Sequence, residues 1–262
     1  MDFDRDSIAR WIEREDVDRL VRFLMSGTHH GKPGAPAATK LAVVGLFREL
    51  CSEAQQVAWA ERLMAREEQV ARVIACGLVA AGWKRGRKAT LGRMRALAED
   101  PDWEVREWAA DLYAGVLALD FERVLPLYRK WADEGSEEIR RAIALALGKR
   151  AKARVVSEAA PMLAVMEVLM AMPGSYLQKN LGPFALGGGF LSRFPEQTLA
   201  LCRRLSRGKN EDVRWNVAMA FTSAAARKHR EAGEKILERL ADDARPRVAR
   251  AVAKAHKNLA RA

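Results

Sequence analysis

The chain has 262 residues, with 45 Lys and Arg against 34 Asp and Glu, a formal charge of +11 at pH 7 and a pI near 9.9. This excess of positive charge favours polyanionic partners, since solubility alone does not require it. No signal peptide, lipidation signal or apolar run long enough to span a bilayer is read from the sequence, so a membrane partner is not expected and a cytoplasmic monomer is.

Residues 4–25 read as helix, with Ile8, Trp11, Ile12, Val17, Leu20, Val21 and Leu24 on an apolar face. The stretch SGTHHGKPGAPAAT, Ser26–Thr39, is too rich in Gly and Pro to continue it. Its adjacent His29 and His30 lack accompanying Cys or Asp ligands, so no metal or cofactor is expected there. Helices follow over Lys40–Cys51, Gln55–Met64 and Glu67–Ala80, then a loop over Gly82–Gly92 and a helix over Leu91–Glu99. Lys84, Arg85, Arg87 and Lys88 fall in that loop with no acid among them, as a phosphate-contacting edge would.

Asp102 precedes the helix WEVREWAADLYAGVLAL, and Phe121–Asp133 and Ser136–Lys149 form the next pair. Val155–Ala171 is long and apolar, and Met162, Met166, Met170 and Met172 in and just after it are read as core fillers. Pro173 and Gly174 then break the chain, and Ser175 is expected to cap YLQKNLG. Pro183 is expected to bend or end that helix, and core packing does not account for the run Gly187–Gly189. Helices around Thr198–Leu205, Val213–Lys228, Ala232–Ala241 and Arg245–Ala260 complete the series. Cys51, Cys76 and Cys202 are scattered among apolar neighbours and read as buried thiols.

These helices repeat. Anchors at Val70, Val105, Ile139, Leu177, Val213 and Val248 are separated by 35, 34, 38, 36 and 35 residues. Four positions after each anchor stands an apolar residue (Ile74, Ala109, Ile143, Leu181, Val217, Val252), and five after it a small one (Ala75, Ala110, Ala144, Gly182, Ala218, Ala253). Small residues let helix backbones approach while larger ones fill the groove between them. A period near 35 of this kind predicts an all-α, right-handed superhelical solenoid of helical repeats. It is expected as one domain over 1–262 with about six helix pairs, the first 51 residues less regular.

The columns two and six positions after the anchors share one helix face and form a stripe expected on the concave wall, basic on both sides of one acidic pair. It holds Arg72 and Cys76, Glu107 and Asp111, Arg141, Lys179 and Pro183, Trp215 and Met219, and Arg250 and Lys254. Glu107 and Asp111 are one turn apart and could act as a carboxylate pair on an N-glycosidic bond. Arg141, Lys179, Arg214, Arg250 and Lys254 are candidate phosphate ligands, and Trp215 a stacking residue. Arg106, Arg140 and Arg214 each follow an anchor directly, so an internal ion-pair ladder is the rival reading for them. Trp108, beside the apolar columns, reads as structural.

The segments DPDWEVREWAADLY, SEEIRRAIALAL, SYLQKNLGPFAL and NEDVRWNVAMAF resemble the bacterial DNA alkylation repair family of HEAT-like repeat proteins, the AlkD/AlkC type of DNA glycosylase. The resemblance covers roughly Glu67–Ala260 and implies a HEAT-like solenoid that holds double-stranded DNA; a groove without the family's aromatic clamp is expected to take damaged, bent or branched DNA instead. The resemblance further implies release of N3- or N7-alkylated purines. Carried over by column, the family's catalytic Asp falls on Asp111 and its phosphate-side Arg on Arg141. The family's two lesion-contacting Trp positions hold Glu107 and Pro183 here, with Trp103, Trp108 and Phe184 close in sequence. The alternative is a non-catalytic HEAT-like scaffold for structured nucleic acid or an acidic protein partner.

Overall fold

Repeated apolar and small positions bring the helices of this chain into stacked pairs. The computed structural model describes residues 3–29 and 31–261, and these residues group into two compact units, Met1–Val116 and Leu117–Ala262. The fold is all-α, built of stacked helical repeats, apart from one pair of two-residue strands among the described residues. Five of the six anchors are fully buried, and the sixth, Val213, is 8 % exposed. Ala75, Ala110, Ala144 and Ala218 are fully buried and Gly182 is buried, whereas Ala253 faces solvent on the last helix. No helix among the described residues is long and apolar enough to cross a membrane.

The first unit begins with α1 (Arg5–Glu13) and α2 (Val17–Met25), two helices where the apolar face suggested one. Glu15 takes a left-handed φ of 54° between them. Asp4 and Asp16 cap the two starts, accepting from the backbone N–H groups of Asp6 and Ser7 and of Arg19. The Gly- and Pro-rich stretch holds the antiparallel strands β1 (Thr28–His29) and β2 (Lys32–Pro33). Next come α3 (Ala37–Leu50), α4 (Glu53–Met64), α5 (Gln69–Leu78), α6 (Arg87–Ala98) and α7 (Trp103–Leu119). A capping box between Ser52 and Gln55 starts α4. α3 and α5 meet closely at Gly77, where a Cβ would lie 2.6 Å from the Val44 side chain. Lys40 on α3 is fully buried and donates to Glu104 at the start of α7, joining two helices that wall the pocket described below. A buried charge is tolerated only with such a partner.

The second unit contains α8 (Phe121–Glu134), α9 (Glu137–Arg150), α10 (Val156–Ala171), α11 (Ser175–Asn180), α12 (Pro195–Leu205), α13 (Glu211–Ala220), α14 (Arg230–Leu237) and α15 (Pro246–Leu259). Met162, Met166 and Met170 of α10 lie in its core, as expected. Ser175 is not the cap of α11. Glu137 of α9 supplies that cap instead, its Oε1 accepting from Tyr176 N at 2.6 Å and Leu177 N at 2.9 Å. Gly174 makes room for it: φ is 129°, and a Cβ would meet Glu137 Oε1 at 2.3 Å.

Pro183 neither ends nor breaks the helix. From Leu181 to Leu191 the chain continues as a π-helix, whose wider turn relieves the clash between a proline ring and the carbonyl four residues earlier. The three glycines that sequence left outside core packing are in fact mostly packing residues. A Cβ on Gly187 would lie 2.4 Å from Ala220 O, and one on Gly189 would lie 2.9 Å from Gly148 Cα. Only Gly188 is exposed.

Arginines close the turns between paired helices. Arg72 donates to the carbonyls of Arg66 and Glu67, and Arg106 to those of Asp100 and Pro101. Arg140 donates to Ala132 and Asp133, and Arg214 to Ser206 and Gly208. In these four repeats a guanidinium thus satisfies carbonyls that a helix end leaves open.

Candidate functional site

In the first unit α3, α5 and α7 enclose an open pocket of about 470 Å³. Small residues make the space: Ala37 and Gly45 on α3, Ala80 after α5, and Gly115 on α7 all line it. Beyond each helix's own backbone, no atom of the described residues lies within 4 Å of where a Cβ would stand on Gly45 or Gly115. Leu41, Trp108 and Leu112 give apolar walls, and Asp111 and Arg48 are its charged groups. Arg48 is tied by its Nη2 to Gly77 O at 3.3 Å.

Asp111 is exposed and Trp108 half-buried, so the pocket offers an aromatic surface beside a carboxylate. Trp108, read from the sequence as structural, thus also lines the pocket, and its position three residues before Asp111 on one helix face was the available signal. Cys76 also lines the pocket, but burial, followed by the Asp100 and Asp111 carboxylates, pushes its thiol far above the ordinary range. It is not poised as a nucleophile. Glu107 is half-buried one turn before Asp111 and is not part of the lining.

In the second unit part of the stripe lines one groove, while Arg141 and Arg250 stand outside it. Lys179, Pro183, Trp215, Met219 and Lys254, drawn from three successive repeats, line one open groove of about 580 Å³. Phe184, Gly188, Thr222, Ser223 and Ala224 complete it. Trp215 is set by Arg247, whose guanidinium lies 4.6 Å from the ring centroid while its Nη1 donates to Asp212 at 2.5 Å. Arg250 is exposed on α15 but stands outside the groove lining.

Two expected phosphate ligands are held differently. Arg141 is only 6 % exposed, with its guanidinium 4.6 Å from the Tyr176 ring centroid, so reaching a phosphate would require repacking. Arg214 belongs to the ladder: its Nε donates to Asp243 at 2.5 Å and its Nη groups to the carbonyls of Ser206, Gly208 and Arg239. Asp243 also accepts from Arg245, which together with Arg214 holds its carboxyl well below the usual range.

Lys84, Arg85, Arg87 and Lys88 are all exposed in the first unit. α6 begins at Arg87, earlier than its apolar pattern suggested, so Arg87 and Lys88 stand in its first turn, where no acidic side chain offsets them. Arg87 lies 5.7 Å from the Trp83 ring centroid, and Arg85 pairs loosely with Glu53 at 3.8 Å. His29 Nε2 lies 3.9 Å from Glu104 Oε1, and His30 lies outside the described residues. Among the described residues no group of three or more His, Cys, Asp or Glu could hold a metal ion.

A family model described as DNA alkylation repair enzyme matches residues 35–184, more than half of the chain and all of the first-unit pocket. No curated protein matches the chain. Among solved structures, a designed armadillo repeat protein, YIII(Dq)4CqI, is similar at 15 % identity over 97 % of this chain and 98 % of its own, with a TM-score of 0.29.

Proposed function

Because the chain belongs to the DNA alkylation repair enzyme family, we propose that it binds double-stranded DNA and releases N3- or N7-alkylated purines by hydrolysis of the N-glycosidic bond. The observation that carries this reading is the shared placement of Trp108 and Asp111 in one open pocket. Alkylation at N3 or N7 makes the purine cationic. The face of an indole attracts such a cation by about 0.5–2 kcal/mol.

As the bond from the purine to C1′ breaks, its electron pair passes to the base and neutralises it, leaving positive charge on the sugar. A fixed carboxylate beside that centre stabilises the developing charge, which is the role given to Asp111. Water then adds its hydroxyl to C1′, and its proton departs through Asp111 to solvent. Trp108 occupies the role that the family gives to an aromatic one residue earlier, where this chain has Glu107. Glu107 carries no step.

Phosphate contacts are assigned to exposed cations: Lys84, Arg85, Arg87 and Lys88 in the first unit, and Lys179, Arg250 and Lys254 in the second. Arg141 and Arg214 are left out, since the fold already uses both. Incubating the full chain with methylated duplex DNA and measuring free alkylpurine tests the proposal. Release above the uncatalysed rate supports it, and duplex binding without release would leave a DNA-binding protein with no glycosylase activity.

A further inference from the structure

The groove of the second unit carries features that intact duplex does not call for. Phe184 projects from the π-helix with 64 % of its surface exposed and lines the groove together with Trp215. α13, which bears Trp215, packs between the π-helix and α15. Lys179 and Lys254, both exposed, come from the helices on either side of it. No acidic residue is among those lining the groove. Trp215 is held by the Arg247–Asp212 pair and not by core packing alone. Ser223, nine-tenths buried on the lining, has an Oγ with no hydrogen-bond partner among the described residues.

A volume of about 580 Å³ lies within the roughly 300–1,000 Å³ of small-ligand pockets. Within a duplex the faces of the bases are covered by their neighbours, so exposed aromatic rings there have nothing to stack on. An unpaired base offers a free face, and its flanking phosphates suit lysines at the rim.

We propose that this groove holds an unpaired nucleotide of a DNA strand, with its base on the Phe184 and Trp215 rings and the adjoining phosphates on Lys179 and Lys254. This inference rests on the DNA binding proposed above and narrows the preferred substrate to duplex carrying a gap, flap or overhang.

The test is equilibrium binding of the full chain, at one salt concentration, to a gapped duplex and to an intact duplex of equal phosphate count. The gapped duplex should bind at least about fivefold tighter, the low end of what one base–aromatic stack provides. Phe184→Ala should abolish that preference and Phe184→Trp should keep it, with affinity for intact duplex the same in both. Equal binding of the two DNAs, or a preference that survives Phe184→Ala, overturns the inference while leaving duplex binding and excision intact. Failure to bind either DNA overturns this inference and the DNA-binding reading together.

Discussion

Asp111 follows Trp108 by three residues on α7, and both side chains open onto one pocket with the buried Cys76 beside them. The Asp111 carboxylate is close enough to help raise the Cys76 thiol pKa. A carboxylate and an indole brought together suit a cation better than a neutral base. Trp108→Ala is therefore expected to raise the KM for cationic alkylpurine substrates by about 2- to 30-fold, with a smaller effect on kcat. Trp108→Phe should retain most of the wild-type value. Steady-state excision kinetics on methylated duplex distinguish these outcomes, and an unchanged KM in Trp108→Ala would remove the indole from recognition.

Exposed and clamped cations should behave oppositely. Lys179→Ala and Lys254→Ala should each weaken duplex binding across all sequences and lower the slope of log affinity against log salt by about 0.9. Arg214→Ala should leave that slope unchanged. It should instead cost about 3 kcal/mol of stability, because Asp243 loses a buried partner and three carbonyls lose their donor. Salt titrations and urea midpoints on the same three variants read both effects.

Asp243 makes part of the second unit's stability dependent on acid. Its carboxyl is lowered first by hydrogen bonds from Arg245, then by Arg214, from an ordinary value of 3.8. The stabilisation is complete above that ordinary value and is lost as pH falls through the lower folded value. Asp243→Asn should therefore be less stable than wild type by about 1.5–3 kcal/mol near neutral pH. In strong acid, below the folded pKa, the two unfolding midpoints should converge.

The glycine run of the π-helix predicts a contrast between neighbours. Gly187→Ala drives a methyl into Ala220 O, and Gly189→Ala drives one into Gly148, each at a backbone that cannot swing aside. Both should cost about 1–3 kcal/mol or more. Gly188→Ala meets only Pro183 O at 3.6 Å and should be neutral or stabilising by about 0.5–1 kcal/mol. Thermal melts of the three single variants check the order.

Most of the fold was legible because its signals are periodic. The anchors and the small column depend on helix spacing alone, and their burial follows from it at Val105 and Ala110 as at Ile139 and Ala144. The part of the second-unit stripe that lines the groove was legible for the same reason, since Lys179 and Trp215 stand two residues after their anchors and Lys254 one helical turn further on the same face. Contacts between distant segments left no local trace. Nothing near Ser175 announces that Glu137 caps its helix, and nothing near Arg214 announces Asp243. The π-helix escaped notice because Pro and Gly usually end helices, and only the packing of Gly187 against α13 and of Gly189 against α9 explains their use here. Phe184 stood out in the sequence only as an aromatic next to Pro183, and its exposure depends on the π-helix that carries it.

The most direct test of the account is single-turnover release of alkylated purine from methylated duplex DNA by wild type and Asp111→Asn, with melting temperature and duplex affinity measured alongside. Asp111 is exposed, so folding and DNA binding should persist in the variant while the rate of release falls by about 10²-fold or more. Equal release by both proteins would contradict the account.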